Sequence, residues 1–206
     1  MKLRRFNNFL SIVIVVLGLY IALSPFLPQI GFWLEDKSPE ARAPYSGELA
    51  EEEGSSASAP IPEENRIVIP SIQLDEPIIE SSSISAINDG GTWRRPNTAT
   101  PIEDSNTVIV GHRWFGQEVS TLYHLDKVLP GQTLAIYWEG KEILYTVIDK
   151  RVVAATAIEI EAPTAQKQLT IYTCDPIWTA KNRLVITAVP VDTEKDASAS
   201  LDRGLL

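Results

Sequence analysis

The sequence predicts a mainly-β domain, a barrel or a sandwich, preceded by an amino-terminal transmembrane helix. Three observations carry this reading. Past residue 65, short β-branched runs at 66–69, 77–79, 107–110, 133–138, 143–153, 169–174 and 184–189 alternate with turn residues such as Pro70, Asp89-Gly90-Gly91 and Pro130-Gly131. Strands of this number and spacing belong to closed or two-layered β folds. Near the amino terminus, residues 7–34 carry no charged side chain. Between these regions, 35–64 are rich in Glu, Ser, Ala and Pro and lack apolar periodicity.

Taken in order, residues 1–8 form a basic tip with Lys2, Arg4 and Arg5. The apolar run 9–34 exceeds the roughly 20 residues a helix needs to cross a bilayer. Cations precede it and Glu35 and Asp36 follow it, so the positive-inside rule places the tip in the cytoplasm and everything after residue 35 outside. This is a single-pass cell-membrane arrangement. Pro25 and Pro28 end or kink the helix near the outer interface, where Phe32 and Trp33 sit. A cleaved secretory signal is the rival reading, since Ala22-Leu23-Ser24 offers small residues at a suitable spacing. The run is longer than an ordinary signal core, which favours an uncleaved anchor. Both readings export the domain.

Residues 35–64 cannot bury enough apolar surface to offset their ordering entropy and read as a flexible acidic tether. The domain spans 65–192. Within it, Glu139-Gly140-Lys141 lies between two strand-like runs and reads as a hairpin loop. Leu122, Leu125 and Val128 recur at helical spacing, which predicts a short helix over 119–128. Residues 193–206 form a polar tail.

The chain has 206 residues and a net charge of −9, enough for one domain of roughly 100–150 residues with its own core. The acidic balance and the lack of a basic patch with interleaved aromatics argue against nucleic acid as a partner. One cysteine, Cys174, excludes an intramolecular disulfide and any multi-cysteine metal site. The carboxylates are scattered and form no EF-hand loop, so no metal or other cofactor is expected; calcium is the one cation the acidic surface could attract.

The exported thiol directs attention to the end of the domain. Leu169 to Cys174 is a strand by composition, stopped by Asp175-Pro176, and a second strand begins at Arg183. If the two pair as a hairpin, Cys174 and Arg183 meet at one rim of the sheet. A guanidinium there favours a thiolate and can donate to an oxyanion. Acyl transfer also needs a proton donor for the leaving amine, usually histidine. His112 follows a strand and Gly111 and lies at a rim; His124 sits in the expected helix, so His112 is preferred. From the residues alone, a lone cysteine at a strand end is more often buried filling, a lone arginine at a strand start more often a solvated edge charge, and a single histidine after a strand more often structural.

The order of these pieces resembles the sortase family. Ile67-Val68-Ile69-Pro70 is similar to the opening strand, and Asn106-Thr107-Val108-Ile109-Val110-Gly111-His112-Arg113 to the segment bearing the catalytic histidine. Leu122-Tyr123-His124-Leu125 and Leu129-Pro130-Gly131-Gln132 resemble the short helix and following turn, with Gln132 where Asp is commoner. Thr170-Ile171-Tyr172-Thr173-Cys174 resembles the Thr-Leu-x-Thr-Cys signature, and Arg183 falls at the family's arginine. The short connection from Cys174 to Arg183 is closer to classes D and E than to class A.

The resemblance implies a closed eight-stranded β-barrel with one or two short helices. It also implies a cysteine transpeptidase in which Cys174 attacks an LPxTG-like sorting signal, His112 is the general acid/base and Arg183 stabilises oxyanion or substrate. An amine from a cell-wall precursor or protein then resolves the thioacyl-enzyme. Tyr172, which shares a face with Cys174 by alternation, and its neighbours Thr173 and Asp175 are candidates for lining the substrate. Asp175 would oppose a thiolate if its carboxylate pointed inward. An exported Cys–His acyl transferase acting on peptidoglycan, and a non-catalytic membrane-tethered β-domain that binds a partner, are the alternatives.

Overall fold

The computed structural model describes residues 2–23, 61–115 and 118–191. The chain divides into two compact units, one holding the amino-terminal helix and one the β-domain. Helix α1, Lys2–Leu23, has 22 residues. Among the described residues no helix is long and apolar enough to cross a membrane. The part of α1 from Phe9 to Leu23 rises roughly 22 Å at 1.5 Å per residue, less than a hydrocarbon core about 30 Å thick. Residues 24–34 of the expected span lie outside the described residues, as do most of the tether and the tail 193–206.

The β-domain strands are β1 (Arg66–Ile69), β2 (Leu74–Glu80), β3 (Thr92–Arg94), β4 (Asn106–Val110), β5 (Trp114–Phe115), β6 (Glu118–Val119), β7 (Thr133–Trp138), β8 (Lys141–Ala154), β9 (Gln168–Asp175) and β10 (Asn182–Pro190). Eight of them close a barrel in the order β1-β2-β3-β4-β9-β10-β8-β7, while β5 and β6 form a separate hairpin. Pairing is antiparallel except between β2 and β3 and between β4 and β9. The β7–β8 connection is a hairpin turn as expected, but of two residues, Glu139 and Gly140, because Lys141 already belongs to β8. Glu139 and Gly140 both have positive φ, 50° and 71°, the backbone whose twist matches that of the flanking strands.

Alternation along each strand sorts the apolar residues into two layers. Ile67, Ile69, Ile109, Leu134, Ile136, Tyr145, Leu169, Ile171, Leu184 and Ile186 fill the barrel. Leu122, Leu125 and Val128 join this cluster but not from an α-helix. The segment runs through turns into a single 3₁₀ turn, Leu125–Lys127, so the apolar spacing reflected three contacts with the core and not continuous helical pairing. Elsewhere in the domain the described residues contain 3₁₀ turns at Pro70–Ile72, Ile84–Ile87 and Ile158–Glu161.

A second layer lies on the outer face of β4, β9 and β10. There Val108, Val110, Tyr172 and Val185 pack with Ile87 and Ile160 from two of the 3₁₀ turns and with Trp93. Two connections are therefore held against one side of the barrel, flanking the strand ends that carry Cys174 and Arg183.

Candidate active site

Cys174 is the penultimate residue of β9. On β9, Thr170, Tyr172 and Cys174 share the outward face, and Leu169, Ile171 and Thr173 the inward one. The thiol is free and partly buried. Its direct partner across the β9–β10 ladder is Arg183, and directly opposed residues in such a ladder lie about 4.5–5.5 Å apart at Cα. Arg183 is also paired with Val153 of β8 on its other side. Its Nη1 donates to the carbonyls of Ala180 (3.0 Å) and Asn182 (2.9 Å), which holds the guanidinium beside the loop that returns from Cys174.

The histidine arrives along a different path. Strand β4 runs parallel to β9, with Val110 paired to Tyr172. Two further bonds continue the association past the ladder: Gly111 N–H donates to the Tyr172 carbonyl (3.4 Å), and the Thr173 hydroxyl donates to the Gly111 carbonyl (2.8 Å). His112 follows Gly111 directly, so these two bonds tie its segment to the end of β9 that carries Cys174. Gly111 is required for close packing, because a Cβ there would meet Leu122 Cγ at 2.7 Å. The His112 ring stacks on Phe115 with centroids 4.6 Å apart, and its Nε2 lies 3.3 Å from Asn88 Oδ1. Burial pushes the imidazole below its ordinary value, favouring the neutral ring.

The neighbours of Cys174 have other partners. Thr173 is 1% exposed and points away from the outward face, with its hydroxyl bonded to Gly111; it joins the histidine and cysteine strands. The Tyr172 hydroxyl donates to Glu161 Oε1 at 2.6 Å. Glu161 also accepts from Arg95 Nε at 3.0 Å, and the Arg95 guanidinium lies over Trp93. Burial first, and Glu161 second, push the Tyr172 phenol well above its ordinary range, so it stays a protonated donor that fixes the β8–β9 connection. The Asp175 carboxylate pairs with the Arg113 guanidinium. His124 lies in the turn region edge-on to Tyr123, ring centroids 4.9 Å apart.

Several residues near the site were not singled out from the sequence: Asn88, Arg113, Phe115, Glu161 and Trp178. Trp178, in the loop between Cys174 and Arg183, is 70% exposed and meets Trp114 at 4.7 Å between centroids. The run Gly111-His112-Arg113-Trp114-Phe115 was the available signal for two of them. Asn88 and Glu161 meet the site only through the closure of the barrel. Among the described residues, no group of three or more His, Cys, Asp or Glu is placed to hold a metal ion. Chemically, a thiol, an imidazole and a guanidinium at one rim are suited to acyl transfer through a thioester.

The sortase-domain family model matches residues 67–191, spanning every barrel strand but Arg66. The chain belongs to the sortase family. Among curated proteins none matches it. Of solved structures, sortase C1 from Streptococcus agalactiae, in a complex with MTSET, is 26% identical over 63% of this chain and 68% of that one, with a TM-score of 0.57. A sortase D5 transpeptidase from Clostridium perfringens is 24% identical (63% and 79% covered, TM-score 0.55). A lid mutant of sortase A from Corynebacterium diphtheriae is also 24% identical (76% and 84% covered, TM-score 0.58). All three share the fold with the present chain. A sortase domain is a cysteine transpeptidase, and this chain is an enzyme of that kind.

Proposed function

We propose that this sortase is a membrane-anchored transpeptidase that cleaves an LPxTG-like sorting signal between Thr and Gly and transfers the acyl fragment to an amine at the cell surface. The Cys174 thiolate attacks the threonine carbonyl, and Arg183 stabilises the resulting oxyanion or holds the substrate backbone. As the intermediate collapses, the C–N bond breaks, and protonated His112 gives its proton to the departing glycine amine. The product is a thioester on Cys174. An acceptor amine then attacks this thioester, His112 takes up its proton, and an amide forms as the thiolate is released.

The observation that supports this most directly is the cross-strand opposition of Cys174 and Arg183, with Thr173 and Gly111 drawing the His112 segment alongside. Burial disfavours the charged His112 ring, so forming the imidazolium that donates to the leaving amine works against this desolvation. Anchoring through residues 9–34, with the amino terminus inside and the catalytic domain outside, rests on the apolar run and its flanking charges. The short Cys174–Arg183 connection supports a class D or E assignment.

The test uses the full-length chain with a pool of LPxTG-like peptides and an added amine nucleophile. The expected product is peptide truncated after Thr and ligated to the nucleophile, absent for Cys174→Ala. Release of the same product by Cys174→Ala overturns the reading, and turnover of muropeptides in place of sorting peptides would move the assignment to peptidoglycan acyl transfer.

A further inference from the structure

Asp175 follows the nucleophile directly in sequence, and a free carboxylate beside a thiolate disfavours it. The structure gives that carboxylate a partner of unusual placement. Arg113, the residue after His112, has only 8% of its side chain exposed. Three of its donors are engaged: Nη1 with Asp175, Nη2 with Asp126 Oδ1 at 3.0 Å, and Nε with the Tyr123 carbonyl at 3.2 Å. Asp126 is shared with Lys127, at 3.2 Å. One guanidinium thus joins the segment after β4, the strand end that bears Cys174, and the 3₁₀ turn that plugs the barrel.

We propose that Arg113 is a positioning residue for the reaction, neutralising Asp175 and turning it from Cys174 while fixing the His112 segment against the end of β9. The proposal rests on Cys174 being the nucleophile. A guanidinium is suited to this task because its rigid fork binds two carboxylates and a carbonyl at once, with its charge kept at any working pH. The charged and titratable groups around Cys174 are Tyr172 and Asp175 on its own strand and Lys181 in the following loop. Arg183 faces it from β10, His112 and Arg113 from beyond β4, and Asp126 from the turn. Of these, Asp175 is the acidic group adjacent in the chain, and Arg113 is the cation paired with it. Arg183 acts on the thiol across the ladder; Arg113 acts through Asp175.

The sole cysteine makes the test direct. Iodoacetamide alkylation of Cys174 in the full-length chain is followed by mass against pH, for wild type, Arg113→Gln, Asp175→Asn and the double variant, with circular dichroism to verify folding. In Arg113→Gln the pH at half-maximal alkylation rises by about 0.5 unit or more as Asp175 is released. Adding Asp175→Asn returns it to the wild-type position or below. Asp175→Asn alone lowers it, because the carboxylate next to the thiol is gone while the guanidinium keeps only Asp126, itself shared with Lys127. An unmoved profile in a folded Arg113→Gln, or a double variant that keeps the rise, overturns the role. Removing one partner of a buried ion pair is strongly destabilising. If Arg113→Gln does not fold, Asp175→Asn decides: an unchanged or raised midpoint overturns the proposal. A folded wild type whose Cys174 resists alkylation at every pH overturns the nucleophile reading and the Arg113 role with it. Normal wild-type reactivity with unmoved variants overturns the Arg113 role alone.

Discussion

Arg183 stands directly across the β9–β10 ladder from Cys174, so the guanidinium and thiol start from adjacent positions on one outward face. This relationship is set by backbone pairing and needs no loop closure or induced fit. It predicts that Arg183→Ala folds normally but lowers kcat/KM by about 10²–10³-fold, the loss found when an oxyanion donor is removed. Arg183→Lys recovers little, because an ammonium lacks the planar fork. Steady-state kinetics on a cleavable sorting peptide check both; a loss below about threefold in Arg183→Ala would mark the residue as a bystander.

The Nε2 of His112 lies 3.3 Å from the Asn88 side-chain oxygen, which gives a handle on pH dependence. Burial disfavours the imidazolium, yet the proposed reaction requires it for the leaving amine. Asn88→Asp places a carboxylate beside the ring and favours the charged form. The sign is therefore upward: the acidic limb of kcat/KM moves to higher pH by roughly 1 unit. A pH–rate profile of the two proteins checks this, with the limb read as a property of the Cys–His pair.

Gly111 leaves room for Leu122, whose Cγ an added Cβ would meet at 2.7 Å. Leu122 is fully buried and cannot swing into solvent. Gly111→Ala is expected to destabilise by about 1–3 kcal/mol and to lower activity further by displacing His112. Denaturant melts alongside kinetics at a temperature where the variant is folded separate the two effects.

The phenol of Tyr172 holds Glu161 at 2.6 Å, and through it the turn Ile158–Glu161 within the β8–β9 connection. Tyr172→Phe removes a bond to a charged acceptor, a stability loss of about 1.5–3 kcal/mol. Since the connection flanks the rim, KM for the sorting peptide should rise more than kcat falls. Thermal melts and separate kcat and KM values check it; an unchanged KM would assign the bond to stability alone.

How much of this was legible in the sequence follows from the range of each interaction. The barrel strands with β-branched alternation were legible, because periodicity is local: 66–69 and 133–138 match β1 and β7 end to end. Strand β3 was not, since Thr92-Trp93-Arg94 is too short for a pattern and is held by parallel pairing to β2. The helix expected around Leu122 and Leu125 failed because core contact alone imitates helical spacing. Cys174 and Arg183 were readable as a pair because a tight antiparallel return joins strand end to strand start. The Asp175–Arg113 pairing was not, as it connects residues 62 apart through a parallel crossover that no local signal announces.

The central claim is that Cys174 becomes acylated. Intact mass of the full-length chain, incubated with an LPxTG-like peptide and no acceptor amine, followed by peptide mapping, tests it directly. A mass increase matching the fragment up to Thr, located on Cys174, labile to hydroxylamine and absent in Cys174→Ala, is the predicted result. The same adduct on the Cys174→Ala protein, or sorting-peptide cleavage by that protein at the wild-type rate, contradicts the account.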